Sequence, residues 1–449
     1  MAHAQTKHRS PESYRLPKDH PWSSAWKASA GVGVVGLLLS LVAWKIDGQR
    51  FAFAWLFAFI TVLAVALGAL FFVMMHHLTG ASWSVAWRRV AELFARGLPV
   101  FLLLFLPIVL SIDELYPWAH HAKSRGRGDH HAWMREVGVT GRARADDHGD
   151  DNEKRGSLPS SAEEEHTPQH ALHEATIEAK LAYLNPAFFG LRAILYLVLW
   201  AWLGWFFSSR SIEQDFKRGI SLSKDLQKKS PLGTVLFGLT VTFAAFDWLM
   251  SLEPTWYSTI FGVQFFSVCV VAGLATIIVA TYLLRKSGPL ADVLTVEHYH
   301  DLGKLLFGFL VFWAYISFSQ FMLIWYASIP EETTYYHHRW QGGWAAYSIG
   351  MAIGHFIFPF LFLLSRNIKR RIPLLAFGAG WLLAMHVVEC FWLVMPYASN
   401  HLSIHWMDGV ALLAVGGIYL SIVLFFVSRH PLVPAGDPRF ERSLHHEVV

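Results

Sequence analysis

The stretch Phe246–Gly262, with the sequence FDWLMSLEPTWYSTIFG, joins two long apolar segments with almost no loop between them. It carries two carboxylates, Asp247 and Glu253, beside residues that would lie in lipid. Ionisable groups at membrane depth are costly and are by default candidates for function. The stretch therefore predicts a turn at a membrane surface with a candidate site next to it.

The composition around this turn indicates a polytopic membrane protein. Of the 449 residues, 54% are hydrophobic and 16% are charged, whereas soluble domains carry about 25% charged residues. Apolar runs of about 20 residues, the length that crosses a bilayer as a helix, recur along the chain. We predict an all-α fold with ten membrane spans, at residues 26–46, 51–78, 96–112, 186–208, 231–251, 256–284, 302–328, 344–366, 372–394 and 406–428.

The basic residues of the short loops predict the orientation. They cluster in the connections between spans 2 and 3, 4 and 5, 6 and 7, and 8 and 9, and the opposite loops carry almost none. Because short loops rich in Lys and Arg stay cytoplasmic, we expect cytoplasmic termini and a periplasmic turn at 252–255. The predicted order is a cytoplasmic segment at 1–25, spans at 26–112, a long periplasmic loop at 113–185, spans at 186–428 and a cytoplasmic tail at 429–449.

The long loop at 113–185 is rich in charged residues and histidine. Such a composition cannot bury a core and is typical of a segment that is disordered or ordered by a partner. The pairs His120–His121 and His130–His131 admit a metal-binding interpretation, but His-rich tracts are only a compositional hint. We favour a solvated linker.

Redox cofactors have no recognisable ligands in this sequence. Cys269 and Cys390 are the only cysteines, and both fall in apolar segments. Covalent haem and iron–sulfur clusters need cysteine motifs that are not present. We expect no cofactor bound by this chain and no metal site. Nucleic-acid binding is not indicated either, because the basic residues are spread over separate loops.

Several polar residues fall at membrane depth or at the ends of spans. His386 and Glu389 are three residues apart and share a helix face. Most of the group comes from spans five to nine, which would bring the side chains together in one bundle. The candidates for a proton path are Asp247, Glu253, His355, His386, Glu389, Asp408, Gln264, Gln320 and His76.

Three interpretations of these residues stay open. They line a proton path or a quinone-head site, or His355 and His386 ligate a haem, or they only bond neighbouring helices. The haem interpretation has no second histidine pair in its favour. A structural role explains Gln264 and Gln320 equally well, whereas the cost of burial favours function for Asp247, His386 and Glu389.

Two features at the end of span 2 have simpler interpretations. His76 lies at the inner surface, where a histidine is usually interfacial, although it would also admit protons from the cytoplasm. Trp83 and Trp87 with Arg88 and Arg89 predict an amphipathic segment that lies in the membrane interface.

Five stretches of the chain resemble the ActF-type, NrfD/PsrC-like membrane subunits of alternative complex III, a bacterial quinol:cytochrome c oxidoreductase. They are Phe246–Gly262, Phe71–Thr79 with the following Trp83 and Arg88-Arg89, Lys180–Arg192, Gln320–Tyr336 and His355–Arg371. Together they span most of the chain. The long charged insert before Lys180 departs from the family pattern.

The resemblance implies a fold and a set of partners. The fold would have two four-helix bundles, helices 2–5 and helices 6–9, with helices 1 and 10 at the periphery. The partners would be a paralogous ActC-like membrane subunit, a multihaem cytochrome c, an iron–sulfur subunit and small membrane subunits. These would carry haem c and the iron–sulfur centres, in a bacterial inner membrane and among its lipids.

The function that we expect is a cofactor-free subunit in respiratory electron transfer that conducts protons and scaffolds the complex. Asp247, His355, His386 and Glu389 would form the relay, with Glu253 and Asp408 near its exit. Direct quinol binding at His355 or His386 is the first alternative, and a purely architectural subunit is another. A stand-alone ion-coupled transporter is less expected, because inverted repeats and broken helices are not evident.

Overall fold

The computed structural model describes residues 11–126 and 175–447. Within these residues the regular structure is helical, and ten helices are long and apolar enough to cross a membrane. The predicted all-α polytopic membrane fold is therefore confirmed. Most of the long loop, including His130 and His131, lies outside the described residues. The ten helices are α1 Ala25–Ile46, α2 Gly48–Thr79, α3 Val85–Leu110, α4 Pro186–Lys217, α5 Ile220–Leu252, α6 Phe261–Lys286, α7 Val296–Ala327, α8 Trp344–Leu364, α9 Ile372–Tyr397 and α10 Trp406–Arg429.

The largest difference from the predicted spans is at the start of α3. The helix begins at Val85 rather than at residue 96, and Arg88 and Arg89 are completely buried. The prediction of an interfacial segment at Trp83–Arg89 is therefore wrong. Carboxylates from distant parts of the chain neutralise these arginines, and a local sequence pattern cannot show such partners. Further along, α3 is divided into short helical segments around Pro107, where proline removes a backbone donor.

Helices α2–α5 form one four-helix bundle and helices α6–α9 form a second one, as expected. In the first, α2 packs on α3 and α5, and α4 packs on the same two helices. In the second, α6 packs on α7 and α9, and α8 packs on the same two helices. Helix α2 lies against α6 and joins the bundles, whereas α1 pairs with α10 at the periphery.

Small residues permit the close approach of the two bundles. A Cβ atom on Gly68 of α2 would lie 1.9 Å from the carbonyl oxygen of Cys269 in α6, and Gly273 faces the Gly68 backbone. Helices in membranes use glycine in this way because van der Waals packing, rather than water exclusion, drives their association. The contact between α1 and α10 is similar, with Gly33 against Gly417.

The helices run between two ends of the molecule, which we call the basic end and the turn end. The basic end carries the loops at 80–84, 218–219, 287–295 and 365–371 together with both terminal segments. These segments are joined there, since the Leu432 N–H donates to the Tyr14 carbonyl at 3.0 Å. The turn end carries Phe246–Gly262 and a short surface helix, Pro330–His338.

Candidate functional site

The second bundle encloses a buried glutamate between an indole and an imidazole. Trp313 of α7 donates its indole N–H to Glu389 Oε1 at 2.6 Å. His355 Nδ1 of α8 lies 3.5 Å from the other carboxylate oxygen, Oε2. His355 and Glu389 of α9 are each 1% exposed. We call these three residues the Glu389 site.

A local irregularity of α8 positions the imidazole. Residues Ala352–Ile357 form a π-helical turn that contains His355, and such turns are rare and frequent at functional sites. Trp381 of α9 donates to the carbonyl oxygen of Gly354 at 2.7 Å and ties this turn to α9. The imidazole then stacks on the Trp313 ring, which fixes its plane.

The polar atoms of the Glu389 site are not all satisfied. Among the described residues, neither Glu389 Oε2 nor the two ring nitrogens of His355 have a hydrogen-bond partner of good geometry. Nδ1 and Oε2 are 3.5 Å apart, which is close enough for an ion pair, but the two atoms do not have the geometry of a hydrogen bond. An isolated charge is costly in such surroundings. The pair is therefore suited to holding one proton, on the carboxyl group or on the imidazole.

His386 precedes Glu389 by one helical turn but faces the other bundle. Its Nε2 atom lies 2.9 Å from the carbonyl oxygen of Thr61 in α2. Because a carbonyl only accepts, Nε2 carries the proton of this bond. The Cys390 thiol lies 3.8 Å from the same imidazole. His386 thus links α9 to α2 at the seam between the bundles, beside the Glu389 site rather than within it.

Asp247 is held by an arginine that lies 55 positions away in the sequence. Arg192 of α4 donates from Nε to Oδ2 at 2.8 Å and from Nη2 to Oδ1 at 2.9 Å. The Tyr196 hydroxyl donates to Oδ2 at 3.0 Å. Bidentate arginine pairs are strong and directional, so Asp247 anchors α5 to α4. The sequence held one signal of this pair: Arg192 falls within the predicted span 186–208, and a charge at membrane depth usually has a partner of opposite charge.

Tyr183, just outside the membrane spans, completes the surroundings of this ion pair. The Arg192 guanidinium lies 3.8 Å from the centre of the Tyr183 ring. Burial, with the charge of Asp247 adding to it, raises the pKa of Tyr183 to about 12. The phenol therefore stays neutral at physiological pH and serves as a packing surface for the cation.

The other carboxylates at the turn end have local partners. Asp408 caps the start of α10 by accepting from the His405 N–H at 2.9 Å, and Arg50 of α2 donates to it at 2.5 Å. Glu253 accepts from the Thr255 hydroxyl at 3.1 Å. These contacts place both carboxylates in the structure of the helix ends, away from the Glu389 site.

The two glutamines differ in their surroundings. Gln320 accepts from the Ser258 hydroxyl at 3.2 Å and so links α7 to the turn Phe246–Gly262. Gln264 Oε1 is buried without a hydrogen-bond partner among the described residues. Neither glutamine contacts the Glu389 carboxylate through a hydrogen bond.

Arg339, which directly follows the surface helix Pro330–His338 and was not among the predicted site residues, lies buried at the turn end. It is 1% exposed and donates to the carbonyl oxygens of Tyr335 at 2.8 Å and Leu393 at 3.2 Å. The guanidinium lies 3.6 Å from the centre of the Tyr335 ring. Tyr335 in turn stacks on Trp256 of the turn, with 4.1 Å between ring centres. Through Tyr335, this buried cation supports the turn at Trp256.

His76 lies at the basic end within a buried network of charges. Arg88 donates to His76 Nε2 at 2.7 Å, to Glu92 at 2.7 Å and to Asp437 at 2.8 Å. Because arginine only donates, His76 Nε2 accepts and its Nδ1–H faces the Ser84 hydroxyl at 2.5 Å. His76 is therefore a neutral imidazole in a fixed tautomer.

The same network fastens the C-terminal tail to the first bundle. Arg89 donates to Asp215 of α4 at 2.8 Å, and Asp215 accepts from the Gly436 N–H at 3.2 Å. Although burial of Asp437 acts in the opposite direction, Arg88 and Arg439 hold its pKa well below its usual value. The charges of Arg88, Arg89 and Arg439 are thus balanced by three carboxylates, those of Glu92, Asp215 and Asp437. The network therefore has a structural role, which is to hold the tail against the bundle.

Of the buried charges described here, those of the Glu389 site are the best candidates for chemistry. No known protein-family model matches the chain, and no curated protein matches its sequence. The assignment of function therefore rests on the geometry of this site and on the membrane fold.

Proposed function

We propose that this chain is an integral membrane subunit of a quinol:electron-acceptor oxidoreductase and that Glu389 with His355 transfers protons inside the membrane. One observation carries the proposal. The buried carboxylates of the described residues are each paired with an arginine, except Glu389. The paired ones are Glu92, Asp215, Asp247, Asp408 and Asp437.

The chemistry follows from the contacts at the site. A proton that reaches His355 forms an imidazolium ion beside Glu389, and transfer to Oε2 then leaves two neutral groups. The Trp313 N–H stabilises the carboxylate form, since hydrogen bonds to charged groups are the stronger ones. The ring face of Trp313 stabilises the imidazolium form. Both positions of the proton are thus supported, which is what a relay group requires.

Electron transfer would then take place in partner subunits. The resemblance described above favours a paralogous membrane subunit, a multihaem cytochrome c, an iron–sulfur subunit and small membrane subunits in a bacterial inner membrane. The basic loops favour cytoplasmic termini. Quinol would bind in the paralogous subunit, and direct contact of quinol with His355 is the alternative.

The decisive experiment compares Glu389→Gln with the wild-type complex in proteoliposomes. Glutamine keeps the acceptor for Trp313 but cannot carry a proton, so we expect assembly to persist and proton release per electron to fall. Glu331→Gln, at an exposed position of the surface helix, is the matched control. An unchanged proton yield and turnover in Glu389→Gln would remove the proposed role.

Two further measurements separate the alternatives. Haem absorbance that copurifies with the tagged chain supports a redox complex, and a chain that purifies alone and takes up an ion favours a transporter. A His355→Gln variant that raises the KM for quinol, with proton yield per turnover unchanged, favours direct quinol binding.

A further inference from the structure

A wide apolar groove lies near the basic end, between α10 and the helices α3, α6 and α9. It encloses about 430 Å³, within the roughly 300–1,000 Å³ of ligand sites. Its walls come from the N-terminal segment, the start of α1 at Ala25, and the helices α3, α6, α9 and α10. Residues that define it are Pro21, Trp22, Phe94, Ala280, Leu420 and Leu424. We call it the N-terminal groove.

The lining selects for a hydrocarbon chain. Apart from the Trp22 indole, the polar side chain in the lining is that of Thr276, and its hydroxyl donates to the Ala272 carbonyl of its own helix at 2.8 Å. Among the residues that the structure describes, no charged side chain lines the groove. A polar ligand would therefore lose its hydrogen bonds to water without replacement. An acyl chain has no such hydrogen bonds to lose.

The groove is closed toward the basic end by the N-terminal segment. The backbone N–H of Trp22 donates to His20 Nδ1 at 3.2 Å, so the proton of this imidazole is on Nε2. That nitrogen donates to the Ser287 carbonyl at 3.2 Å, just beyond the end of α6. The segment is thereby fixed across the end of the groove, where the membrane surface would lie.

Two lysines flank this closed end, because Lys286 is the last residue of α6 and Lys18 lies two residues before His20. Lys286 follows Leu283 of the groove by three residues, which places it on the same helix face and nearer the end of α6. Lys286 and Lys18 are both exposed. Asp19 follows Lys18 in the sequence. Lys and Arg side chains beside an apolar groove at this depth are suited to a phosphate group.

We propose that the N-terminal groove binds an anionic phospholipid, with an acyl chain in the groove and the phosphate at Lys286 and Lys18. This site is independent of the proposed proton transfer. Its function would be to hold α1, α6 and α10 together through a lipid that stays with the protein during purification.

The test measures lipids bound to the full chain by native mass spectrometry after exchange into phosphatidylglycerol or phosphatidylcholine. We expect retained phosphatidylglycerol with the wild type and about tenfold weaker retention with Ala280→Trp, which fills the groove. Lys286→Gln should lower the preference for phosphatidylglycerol about fivefold, which matches about 1 kcal/mol per basic side chain near a membrane. Leu361→Trp and Lys228→Gln, at exposed positions elsewhere, are matched controls.

Equal retention of phosphatidylglycerol by the wild type and both groove variants would overturn the proposal. Displacement of the lipid by an added isoprenoid quinone at equal concentration would also overturn it, in favour of a quinone tail. Lys286→Gln changes only an exposed side chain, so its result is informative even if Ala280→Trp lowers the yield of folded protein.

Discussion

The indole of Trp313 and the imidazole of His355 stack face to face, with 4.1 Å between ring centres and 9° between ring planes. The same indole donates its N–H to Glu389. One side chain of α7 therefore sets the positions of a base on α8 and an acid on α9. The separation of these two groups depends on the packing of three helices rather than on a local motif.

Trp313→Phe separates the two contributions of this side chain. Phenylalanine keeps a ring against His355 but removes the donor to Glu389, and hydrogen bonds to charged groups contribute about 1.5–3 kcal/mol. We expect the rate of proton release to fall by about one order of magnitude or more. Proteoliposome assays check this, with the exposed Trp325→Phe as control. If proton release is unaffected, the indole N–H has no part in the relay.

Asp247→Asn tests the role of the ion pair with Arg192. The substitution leaves a mostly buried guanidinium without its counter-charge, which costs about 3–5 kcal/mol in comparable pairs. We expect a clear drop in the midpoint of thermal unfolding in detergent and unchanged proton release per electron in the complexes that assemble. The reverse result, normal stability with lost proton release, would return Asp247 to the relay.

Gly68→Ala tests the seam between the two bundles. The added methyl group would meet the Cys269 carbonyl and the Gly273 backbone, and overpacking of this kind costs about 1–3 kcal/mol. We expect a lower unfolding temperature than for Gly308→Ala, where a Cβ atom has open space. Equal unfolding temperatures for the two variants would show that α2 and α6 separate easily.

His430, just after α10, predicts a dependence of stability on pH. Burial, followed by the nearby charges of Arg96, Arg89 and Arg15, lowers its pKa from 6.5 to about 4. The unfolded chain therefore binds this proton more readily, and the stabilisation present above about pH 6.5 is lost as the pH falls toward 4. Unfolding midpoints measured from pH 4 to 8 should show a shallower slope for His430→Gln. A slope equal to that of the exposed control His401→Gln would contradict the prediction.

The sequence by itself determined the class of fold and the number of spans. Hydrocarbon thickness sets the length of a spanning helix, and every backbone polar group must be satisfied within it, so both requirements act on consecutive residues. The energetic cost of a charge at membrane depth depends on where the residue falls within a span, and the sequence shows that position. For that reason Asp247, Glu389 and His355 were identifiable as candidates before their neighbours were known.

Only the tertiary structure decided which of these charges has a partner. Arg192 and Asp247 are 55 positions apart, and Arg88 and Asp437 are 349 apart. No local pattern predicts such pairs, because they form only when particular helices and the C-terminal tail pack together. The packing neutralises Asp247 with an arginine and leaves Glu389 with an imidazole. That difference in partner is the physical reason why the candidate for proton transfer lies in the second bundle rather than at the turn Phe246–Gly262.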